Sequence, residues 1–432
     1  MSPVEVRVPG DKSISHRALL LAAAAEGESR IVGLLDGGDC RSTAAVLRQL
    51  GCAIPELHDG ELRIHGRGLA AWRAPDAPLD CGNSGTTARL LLGLLAGRPF
   101  CATLTGDASL RSRPMRRVTR PLAQMGARLR ELGEPDRLPV EVCGGPLAGG
   151  AHRSEKASAQ VKSALLLAGL SARTPVAVWE PQRSRDHTER MLQGLGVEVR
   201  AAEEAQGWRV ALPAPPATLP PLDLTVPGDP SSAAFLVAAA LLGGDADGLL
   251  IRGVGVNPTR TGFVRALARM GGAVEYRDEH LRGGEPVADL FVRPARLAAT
   301  EIGAAEVPAL IDELPILAVL AARAEGVTRI SGAAELRAKE SDRIAVLVAN
   351  LRALGVAAEE LPDGLEVQGS DRPLRGRVHA HDDHRIAMAF GVLAALPGSA
   401  IEIDTPQVAQ ISFPGFWPLL RRLSARAAGG GA

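Results

Sequence analysis

The sequence contains 432 residues, which is enough for two or three domains with a sizeable hydrophobic core. Its 49 basic and 49 acidic side chains give zero net charge, so bulk electrostatics does not favour a polyanion, and we expect no nucleic-acid partner. Glycine interrupts every apolar run well short of a membrane span, so we expect neither a transmembrane helix nor a membrane partner.

Five cysteines lie in the first third of the chain, at Cys40, Cys52, Cys81, Cys101 and Cys143. They form no C-x-x-C motif, and their number is odd. Such a scattered set is typical of reduced thiols in a cytosolic protein rather than of a disulfide framework. We expect five free thiols and a cytoplasmic location.

Apolar helical stretches that end in glycine recur six times, and their terminal glycines are 70 to 83 residues apart. An amphipathic helix and then a hairpin-like pattern follow five of them. The repetition predicts a unit of strand, helix, strand, helix, strand and strand over about 72 residues, and six such units fill the chain. The apolar stretches cover residues 17–27, 88–97, 163–169, 233–243, 315–326 and 385–398.

The segment V-P-G-D occurs twice, at residues 8–11 and 226–229, each time before a helix start. This duplication divides the six units into two sets of three. Helices that are apolar all round must be buried, and buried helices enclosed by short sheets are the reverse of an ordinary α/β barrel. We expect an α/β fold with one globule at 11–226, a second at 1–10 and 227–432, and crossover strands at about 8–12 and 225–229.

Positive side chains lie at the predicted helix starts, where the helix dipole disfavours them by about 0.3–1 kcal/mol. Helix capping explains the Ser, Thr, Asn and Asp residues there, but not the cations. A neighbouring acid can neutralise one such cation, whereas a set of eight favours a shared anionic ligand, for which Arg offers bidentate forks and Lys a point charge. The set comprises Lys12, Arg17, Arg113, Arg116, Arg185, Lys339, Arg343 and Arg385.

Lysine is rare in this chain, because arginine supplies almost all of its positive charge. Positions that remain lysine are candidates for chemistry that requires a compact ammonium with an adjustable pKa, although survival by chance is the alternative. The four lysines are Lys12, Lys156, Lys162 and Lys339.

Two acids lie among these cations, Asp312 in L-I-D-E-L-P and Glu340 in K-E-S-D-R. Carboxylates beside lysines in an anion-binding cleft are suitable proton carriers, and simple charge balance is the alternative. The run H-D-D-H at 381–384 suggests a metal site, but four contiguous ligands rarely converge on one ion, and helix capping by Asp382 or Asp383 explains it better. Since no Walker or dinucleotide motif follows a strand either, we expect no metal and no organic cofactor.

These motifs resemble those of the 5-enolpyruvylshikimate-3-phosphate synthase family along essentially the whole chain. The resemblance is densest at G-D-K-S-I-S-H-R-A, D-C-G-N-S-G-T-T-A-R, S-A-Q-V-K-S-A-L-L, S-R-D-H-T-E-R-M and E-L-R-A-K-E-S-D-R-I. It implies two inside-out α/β barrel domains, each of three βαβαββ units. It also implies transfer of the enolpyruvyl group of phosphoenolpyruvate to the 5-hydroxyl of shikimate 3-phosphate, with release of phosphate, in aromatic amino acid biosynthesis. We expect a monomer.

The resemblance also implies roles for individual residues. Catalysis falls to Asp312, which holds and deprotonates the attacking hydroxyl, and to Glu340 or Lys12, which protonates the methylene carbon. Contacts to shikimate 3-phosphate are implied for Lys12, Ser13, Arg17, Ser158, Ala159, Gln160, Arg185, Asp312 and Lys339. Contacts to phosphoenolpyruvate are implied for Lys12, Gly85, Arg113, Gln160, Arg343 and Arg385.

Three positions deserve comparison with the family pattern. Some members have a second Ser where Ala159 lies, which removes one phosphate-binding hydroxyl here. Some members have Lys at the position of Ile411, so contacts to the leaving phosphate on that side remain open. Members with Ala at the position of Gly85 are less sensitive to glyphosate, and the resemblance therefore implies sensitivity.

Two other functions compete with this interpretation. The sister family transfers enolpyruvyl to UDP-N-acetylglucosamine and generally has a Cys on a mobile loop, whereas residues 105–117 here contain no Cys. A non-catalytic repeat scaffold would present an extended binding face, but it would not require cationic helix starts beside Asp312 and Glu340. The enzymatic interpretation depends on cations of both globules meeting in one cleft, where they would offset the repulsion between two anionic substrates.

Overall fold

The structure, a computed structural model, describes residues 3–429. The chain divides into two compact units, each with its own hydrophobic core. The amino-terminal unit contains Gly10–Val226 and Arg282–Glu285, and the carboxy-terminal unit contains residues 3–9, Pro227–Leu281 and 286–429.

Helices of the amino-terminal unit are α1 (Lys12–Ala24), α2 (Gly38–Gln49), α3 (Gly85–Ala96), α4 (Ala108–Arg111), α5 (Arg116–Gln124), α6 (Ala159–Ala172) and α7 (His187–Gly194). Helices of the carboxy-terminal unit are α8 (Pro230–Gly243), α9 (Gly262–Arg269), α10 (Leu314–Ala321), α11 (Arg343–Ala353), α12 (His384–Ala394) and α13 (Phe416–Gly429).

The first strands along the chain are β1 (Val4–Val6), β2 (Glu26–Val32), β3 (Glu61–Arg67), β4 (Leu79–Asp80), β5 (Cys101–Thr105), β6 (Arg128–Glu131), β7 (Val140–Cys143), β8 (Gly150–Arg153), β9 (Val176–Glu180), β10 (Arg200–Glu204), β11 (Gly207–Leu212) and β12 (Asp223–Thr225). The remaining strands are β13 (Leu249–Gly255), β14 (Val274–Arg282), β15 (Glu285–Val292), β16 (Glu301–Ile302), β17 (Val327–Ile330), β18 (Ala358–Leu361), β19 (Gly364–Gln368), β20 (Arg375–Val378) and β21 (Ala400–Ile403).

Within the described residues the strands form six sheets, and each sheet contains one parallel pair. In four sheets a buried apolar helix connects the two parallel strands, as in β4–α3–β5 and β8–α6–β9. In the other two the partner strand comes from the far end of its unit. Thus β12 pairs with β2, and β1 pairs with β13.

The predicted hairpin after Gly51 is incomplete, because residues 52–58 form no strand and only β3 is present. Pro55 lacks the N–H that a sheet ladder requires. The Arg48 guanidinium instead donates to the carbonyls of Ile54 at 2.7 Å and Pro55 at 2.6 Å. This prediction was therefore wrong for the first repeat.

Burial separates the two kinds of helix as the sequence predicts. Residues 14–24 of α1 are all buried, whereas α5 buries only part of its surface. The apolar helices also pack very closely against each other. A Cβ added to Gly93 of α3 would lie 2.1 Å from the carbonyl oxygen of Ala164 in α6, so this contact requires glycine.

The cysteine prediction is wrong for one pair, because Cys101 and Cys143 form a disulfide. The two residues lie directly opposite each other on the antiparallel strands β5 and β7, with their Cα atoms 4.0 Å apart. Strand register brought them together, and the cysteine spacing in the sequence does not reveal it. Cys40, Cys52 and Cys81 are free thiols.

No helix among residues 3–429 has both the length and the apolar character needed to cross a membrane.

Candidate functional site

The start of α1 holds the first predicted cation. Asp11 caps the helix by accepting from the backbone N–H of Ile14 at 2.9 Å. Lys12 occupies the first helical position, and its ammonium forms an ion pair with Asp39 of α2. This acid offsets the unfavourable position of Lys12 at the positive end of the helix dipole. The sequence contained no signal for Asp39.

Arg17 lies one turn further along α1 and is 4% exposed. Its guanidinium donates to the Thr188 hydroxyl at 2.6 Å, to the Ser163 hydroxyl at 2.8 Å and to the Ser13 carbonyl at 2.9 Å. Burial, opposed by the charge of Glu189, lowers the pKa of Arg17 to about 10. Arg17 therefore stays charged at neutral pH and connects α1 to α6 and α7.

A buried chain of polar side chains links the amino-terminal halves of α1, α2 and α3. The His16 ring nitrogen Nδ1 lies 2.7 Å from the Thr43 hydroxyl, which lies 2.7 Å from the Thr87 hydroxyl. The Thr87 hydroxyl in turn donates to Ser84 Oγ at 2.7 Å. Burial, opposed by the charge of Asp39 and assisted by the charges of Lys12 and Arg17, lowers the pKa of His16 to about 3. The imidazole is therefore neutral at physiological pH.

Gly85 begins α3 and has two arginine side chains beside it. A Cβ added there would lie 2.7 Å from Arg89 Nη1 and 3.5 Å from Arg113 Nη1. Arg89 donates to Gln160 Oε1 at 2.8 Å, and Arg113 donates to Asn83 Oδ1 at 2.5 Å. The structure thus brings together the predicted residues Gly85, Arg113 and Gln160.

Arg89 and Asn83 contact these residues but are not individually predicted from the sequence. Both lie in the D-C-G-N-S-G-T-T-A-R motif. Arg89 follows Gly85 by four residues, a spacing that places both on one face of a helix, so this signal was available.

The first turn of α6 carries three predicted residues, Ser158, Ala159 and Gln160. Ser158 caps the helix, and its backbone N–H donates to Glu180 Oε1 at 2.8 Å. Arg185 is half-buried in the loop between β9 and α7.

The five predicted residues of the carboxy-terminal unit lie together, with Asp312 at the centre of three cations. Arg343 Nη1 lies 3.8 Å and Lys339 Nζ 3.9 Å from Asp312 Oδ1, and Arg385 Nη2 lies 3.9 Å from Oδ2. Arg385 also donates to the Asp312 carbonyl at 3.0 Å. Glu340 accepts from Arg343 Nη2 at 2.7 Å. One carboxylate is therefore surrounded by three cations.

Asp383 is fully buried and holds two of these cations, Arg343 and Arg385, in place. It accepts from Arg343 Nε at 2.7 Å and, as the cap of α12, from the backbone N–H of Arg385 at 3.0 Å. The prediction that Asp382 or Asp383 caps this helix is confirmed for Asp383.

No cluster of three or more metal-ligating side chains is present in the described part of the chain.

Electrostatics supports different roles for the two cations next to Asp312. Burial lowers the pKa of Lys339, and the charge of Asp312 only partly offsets this effect. Burial also acts against the charge of Arg343, but Asp383 and Glu340 outweigh it and raise the pKa of Arg343. Arg343 is thus a permanent cation, whereas Lys339 releases its proton more easily than an exposed lysine.

The chain is similar to known proteins over nearly its whole length. Residues 3–420 match the family described as EPSP synthase (3-phosphoshikimate 1-carboxyvinyltransferase). The chain belongs to this family. Family members named 3-phosphoshikimate 1-carboxyvinyltransferase include one from Desulfitobacterium hafniense, 50% identical over 97% of this chain and 95% of the relative. Another, from Gloeobacter violaceus, is 52% identical over 97% of this chain and 96% of the relative.

Solved structures agree with the family assignment. An EPSP synthase from Acinetobacter baumannii superposes with a TM-score of 0.82 at 40% identity, covering 98% of this chain and 96% of that chain. The enolpyruvyl transferase NikO from Streptomyces tendae has a TM-score of 0.75 at 20% identity, covering 98% of this chain and 94% of that chain. The second likeness is one of fold alone. The chain therefore has the mixed α/β fold of enolpyruvyl transferases.

Proposed function

We propose that this protein transfers the enolpyruvyl group of phosphoenolpyruvate to the 5-hydroxyl of shikimate 3-phosphate, giving 5-enolpyruvylshikimate 3-phosphate and phosphate. The observation that carries the proposal is the Asp312 carboxylate among Lys339, Arg343 and Arg385, because it combines a proton acceptor with charges suited to anionic substrates. Membership of the EPSP synthase family supports it. In this role the protein acts in aromatic amino acid biosynthesis, as a cytoplasmic monomer.

Each unit is, in this proposal, an inside-out α/β barrel of three βαβαββ repeats. The supporting observations are the burial of α1, α3 and α6 in one unit and of α8, α10 and α12 in the other, together with the six short sheets. The segments at about 8–12 and 225–229 are then the crossovers between the two domains.

Residues of the amino-terminal unit are assigned to both substrates. The proposed contacts to shikimate 3-phosphate there are Lys12, Ser13, Arg17, Ser158, Ala159, Gln160 and Arg185. The proposed contacts to phosphoenolpyruvate there are Lys12, Gly85, Arg113 and Gln160. In support, Gly85 leaves space beside Arg113, and Gln160 is held next to Gly85 through Arg89.

The carboxy-terminal unit supplies Asp312 and Lys339 for shikimate 3-phosphate and Arg343 and Arg385 for phosphoenolpyruvate. Asp312 accepts the proton of the attacking 5-hydroxyl, and Glu340 or Lys12 donates a proton to the methylene carbon of phosphoenolpyruvate. The product of this step is a tetrahedral adduct that still carries the phosphate. A proton then leaves the new methyl group as phosphate departs, with the proton roles reversed.

Substitution of the two acids tests this assignment. We expect Asp312→Ala and Glu340→Ala each to lower kcat by at least about 100-fold, because each removes a group that transfers a proton. Release of phosphate from both substrates measures the rate. Glu366→Ala removes a carboxylate whose partner is Arg329 at the surface of the same unit, and its rate should stay near normal. Near-normal rates for both Asp312→Ala and Glu340→Ala would remove the proposed roles.

Acceptor choice separates the competing functions. We expect phosphate release with shikimate 3-phosphate as acceptor and none with UDP-N-acetylglucosamine. The reverse result would assign the chain to the sister reaction, and no release with either acceptor would favour the scaffold.

A further inference from the structure

Lys162 is a buried lysine to which neither the proposed mechanism nor the substrate contacts give a role. It lies in the first turn of α6, four residues after Ser158, and is 0% exposed. Its ammonium lies 2.8 Å from Glu189 Oε1, 3.0 Å from Glu180 Oε2 and 3.4 Å from the Ser184 carbonyl. Burying such a charge is unfavourable unless it is fully paired, and here three acceptors surround it.

Glu180 connects this lysine to two loops. It is the last residue of β9 and is 1% exposed. Its carboxylate accepts from the backbone N–H of Ser158 at 2.8 Å and from the Ser184 hydroxyl at 2.7 Å. One loop leads into the first turn of α6, and the other contains Arg185. Both segments carry proposed contacts to shikimate 3-phosphate.

Glu189 connects the lysine to a third element. It lies in the first turn of α7 and is 3% exposed. The cluster of Lys162, Glu180 and Glu189 therefore contains two carboxylates and one ammonium. Burial is the main cause of the lowered pKa of Arg17, and the charge of Arg185 lowers it slightly further, whereas the charge of Glu189 raises it. The excess negative charge of the cluster thus counteracts the repulsion between Arg17 and Arg185.

The lysine is charged at any working pH. Burial acts to lower the pKa of Lys162, but the charges and hydrogen bonds of Glu189 and Glu180 outweigh it, so the pKa of Lys162 is raised. Replacing such a buried charge cluster by apolar side chains is often neutral or stabilising, so stability alone does not account for it.

We propose that Lys162, Glu180 and Glu189 form a positioning cluster that holds the first turn of α6 and the Arg185 loop at the spacing required by the phosphate of shikimate 3-phosphate. The three side chains are too deeply buried to contact the substrate themselves. The inference rests on the proposed function. It adds residues that act mainly on the affinity for shikimate 3-phosphate.

Lys162→Met and Glu180→Gln test the cluster. Each removes one charge. Glu180→Gln keeps the shape of the side chain, and Lys162→Met keeps an unbranched apolar chain of nearly the same length. We expect the KM for shikimate 3-phosphate to rise at least about 10-fold in both, with kcat within about 3-fold of the unmodified protein. The KM for phosphoenolpyruvate should rise much less, because Gln160 is the one proposed contact to phosphoenolpyruvate in these segments and Arg89 of α3 also holds it. A merely structural role would lower the amount of active enzyme, and so kcat, without selecting one substrate.

The double variant Lys162→Met/Glu189→Gln provides a rescue. It restores the net charge of the cluster and keeps Glu180, so we expect its KM for shikimate 3-phosphate to return to within about 3-fold of normal. It also covers the case in which Lys162→Met alone does not fold. Failure of this rescue in a folded double variant would contradict the charge argument.

Arg98→Met is the matched control. Arg98 donates to the carbonyl of Ser171 at 2.6 Å and to its hydroxyl at 3.1 Å, which anchors the opposite end of the same helix. We expect a lower Tm but an unchanged KM for shikimate 3-phosphate. The proposal is overturned if Arg98→Met raises this KM as much as Lys162→Met does, or if neither cluster variant raises it.

Binding of shikimate 3-phosphate alone, measured by calorimetry, distinguishes failure of the inference from failure of the proposed function. If the unmodified protein binds it without turnover, while Lys162→Met binds it at least about 10-fold more weakly, the cluster is supported and the reaction is not. If the unmodified protein turns over both substrates and the variants bind shikimate 3-phosphate normally, the positioning role of the cluster is contradicted but the proposed reaction is not. No binding by the unmodified protein overturns both.

Discussion

Gly85 shows how the lack of one side chain shapes a proposed binding site. A methyl group there would lie 2.7 Å from Arg89 Nη1, so the arginine must move. Arg89 is itself held by Gln160 and by the Pro114 carbonyl, and its displacement disturbs the proposed contacts to phosphoenolpyruvate. The proposed phosphoenolpyruvate site therefore requires a residue without a side chain at position 85.

Gly85→Ala should raise the KM for phosphoenolpyruvate at least about 5-fold, with a smaller change in the KM for shikimate 3-phosphate. The resemblance to the family also predicts weaker inhibition by glyphosate. Steady-state kinetics with each substrate varied in turn measures both effects. Gly194→Ala adds the same methyl group at a position where no atom from another part of the chain lies within 4 Å, and it should leave both KM values unchanged. An unchanged KM in Gly85→Ala would contradict the proposed role of this glycine.

His16 predicts a pH dependence of stability. Its pKa of about 3 in the folded protein lies below its ordinary value of 6.5, so between these pH values only the unfolded chain binds the proton. Stability is therefore lost as the pH falls below 6.5, by about 2 kcal/mol between pH 7 and pH 5. Urea denaturation at both pH values should show this difference, and His16→Gln should reduce it by about that amount.

The matched control for His16 is His280→Gln, because His280 is exposed. It should leave the difference between pH 7 and pH 5 unchanged. An equal effect of both substitutions would contradict the assignment to His16.

At the scale of elements, α11 and α12 are held together by one buried ion pair. Asp383 caps α12 and pairs with Arg343, the first residue of α11. Burial works against the ionised form, but Arg343 outweighs it and lowers the pKa of Asp383. The ends of these helices are thus connected by a charge that also fixes the cation next to Asp312.

Asp383→Asn should lower the free energy of unfolding by about 3 kcal/mol or more, because it leaves the Arg343 charge buried without its main partner. Denaturant unfolding at neutral pH measures the loss. Asp342→Ala removes the cap of α11, which accepts from the Ala345 backbone N–H at 3.1 Å and also pairs with Arg337 at a half-exposed position. It should reduce stability by only about 1 kcal/mol. Equal losses of unfolding free energy in the two variants would show that the buried Arg343–Asp383 pair contributes no more to stability than a helix cap.

Sequence periodicity predicted the helices better than the strands. Apolar helices such as α3 and α6 were visible because they are apolar almost all round. The predicted glycine end is correct for α3, whose cap is Gly97, but α6 continues past Gly169 to Ala172. The first hairpin was predicted wrongly, because Pro55 and the side chain of Arg48 decide whether a second strand forms. Pairing of β12 with β2 was also outside the reach of local patterns, since about 190 residues separate the two strands.

At the scale of the whole molecule, the chain has two separate hydrophobic cores, so a covalent bond inside one unit should stabilise that unit alone. The Cys101–Cys143 disulfide lies entirely in the amino-terminal unit and closes a loop with a sequence separation of 42. A loop of that length corresponds to about 4 kcal/mol of stabilisation in the chain-entropy account.

Reduction of this disulfide should therefore weaken hydrogen-exchange protection of α3 and α6, while α8, α10 and α12 keep theirs. Exchange measured by mass spectrometry with and without reductant compares the two units. A Cys101→Ser/Cys143→Ser variant should show no response to reductant. Equal loss of protection in both units would contradict the division into two cores.

The sequence by itself determined the repeated alternation of buried and amphipathic helices, the family and most of the candidate residues, because each leaves a local pattern of apolar spacing or an ordered motif. Only the tertiary structure decided which side chains neutralise the cations: Asp39 beside Lys12, Asp383 beside Arg343, and Glu180 with Glu189 around Lys162. The last pair follows Lys162 by 18 and 27 residues and reaches it from other elements. Such charges interact through space, and their partners are set by packing rather than by distance along the chain.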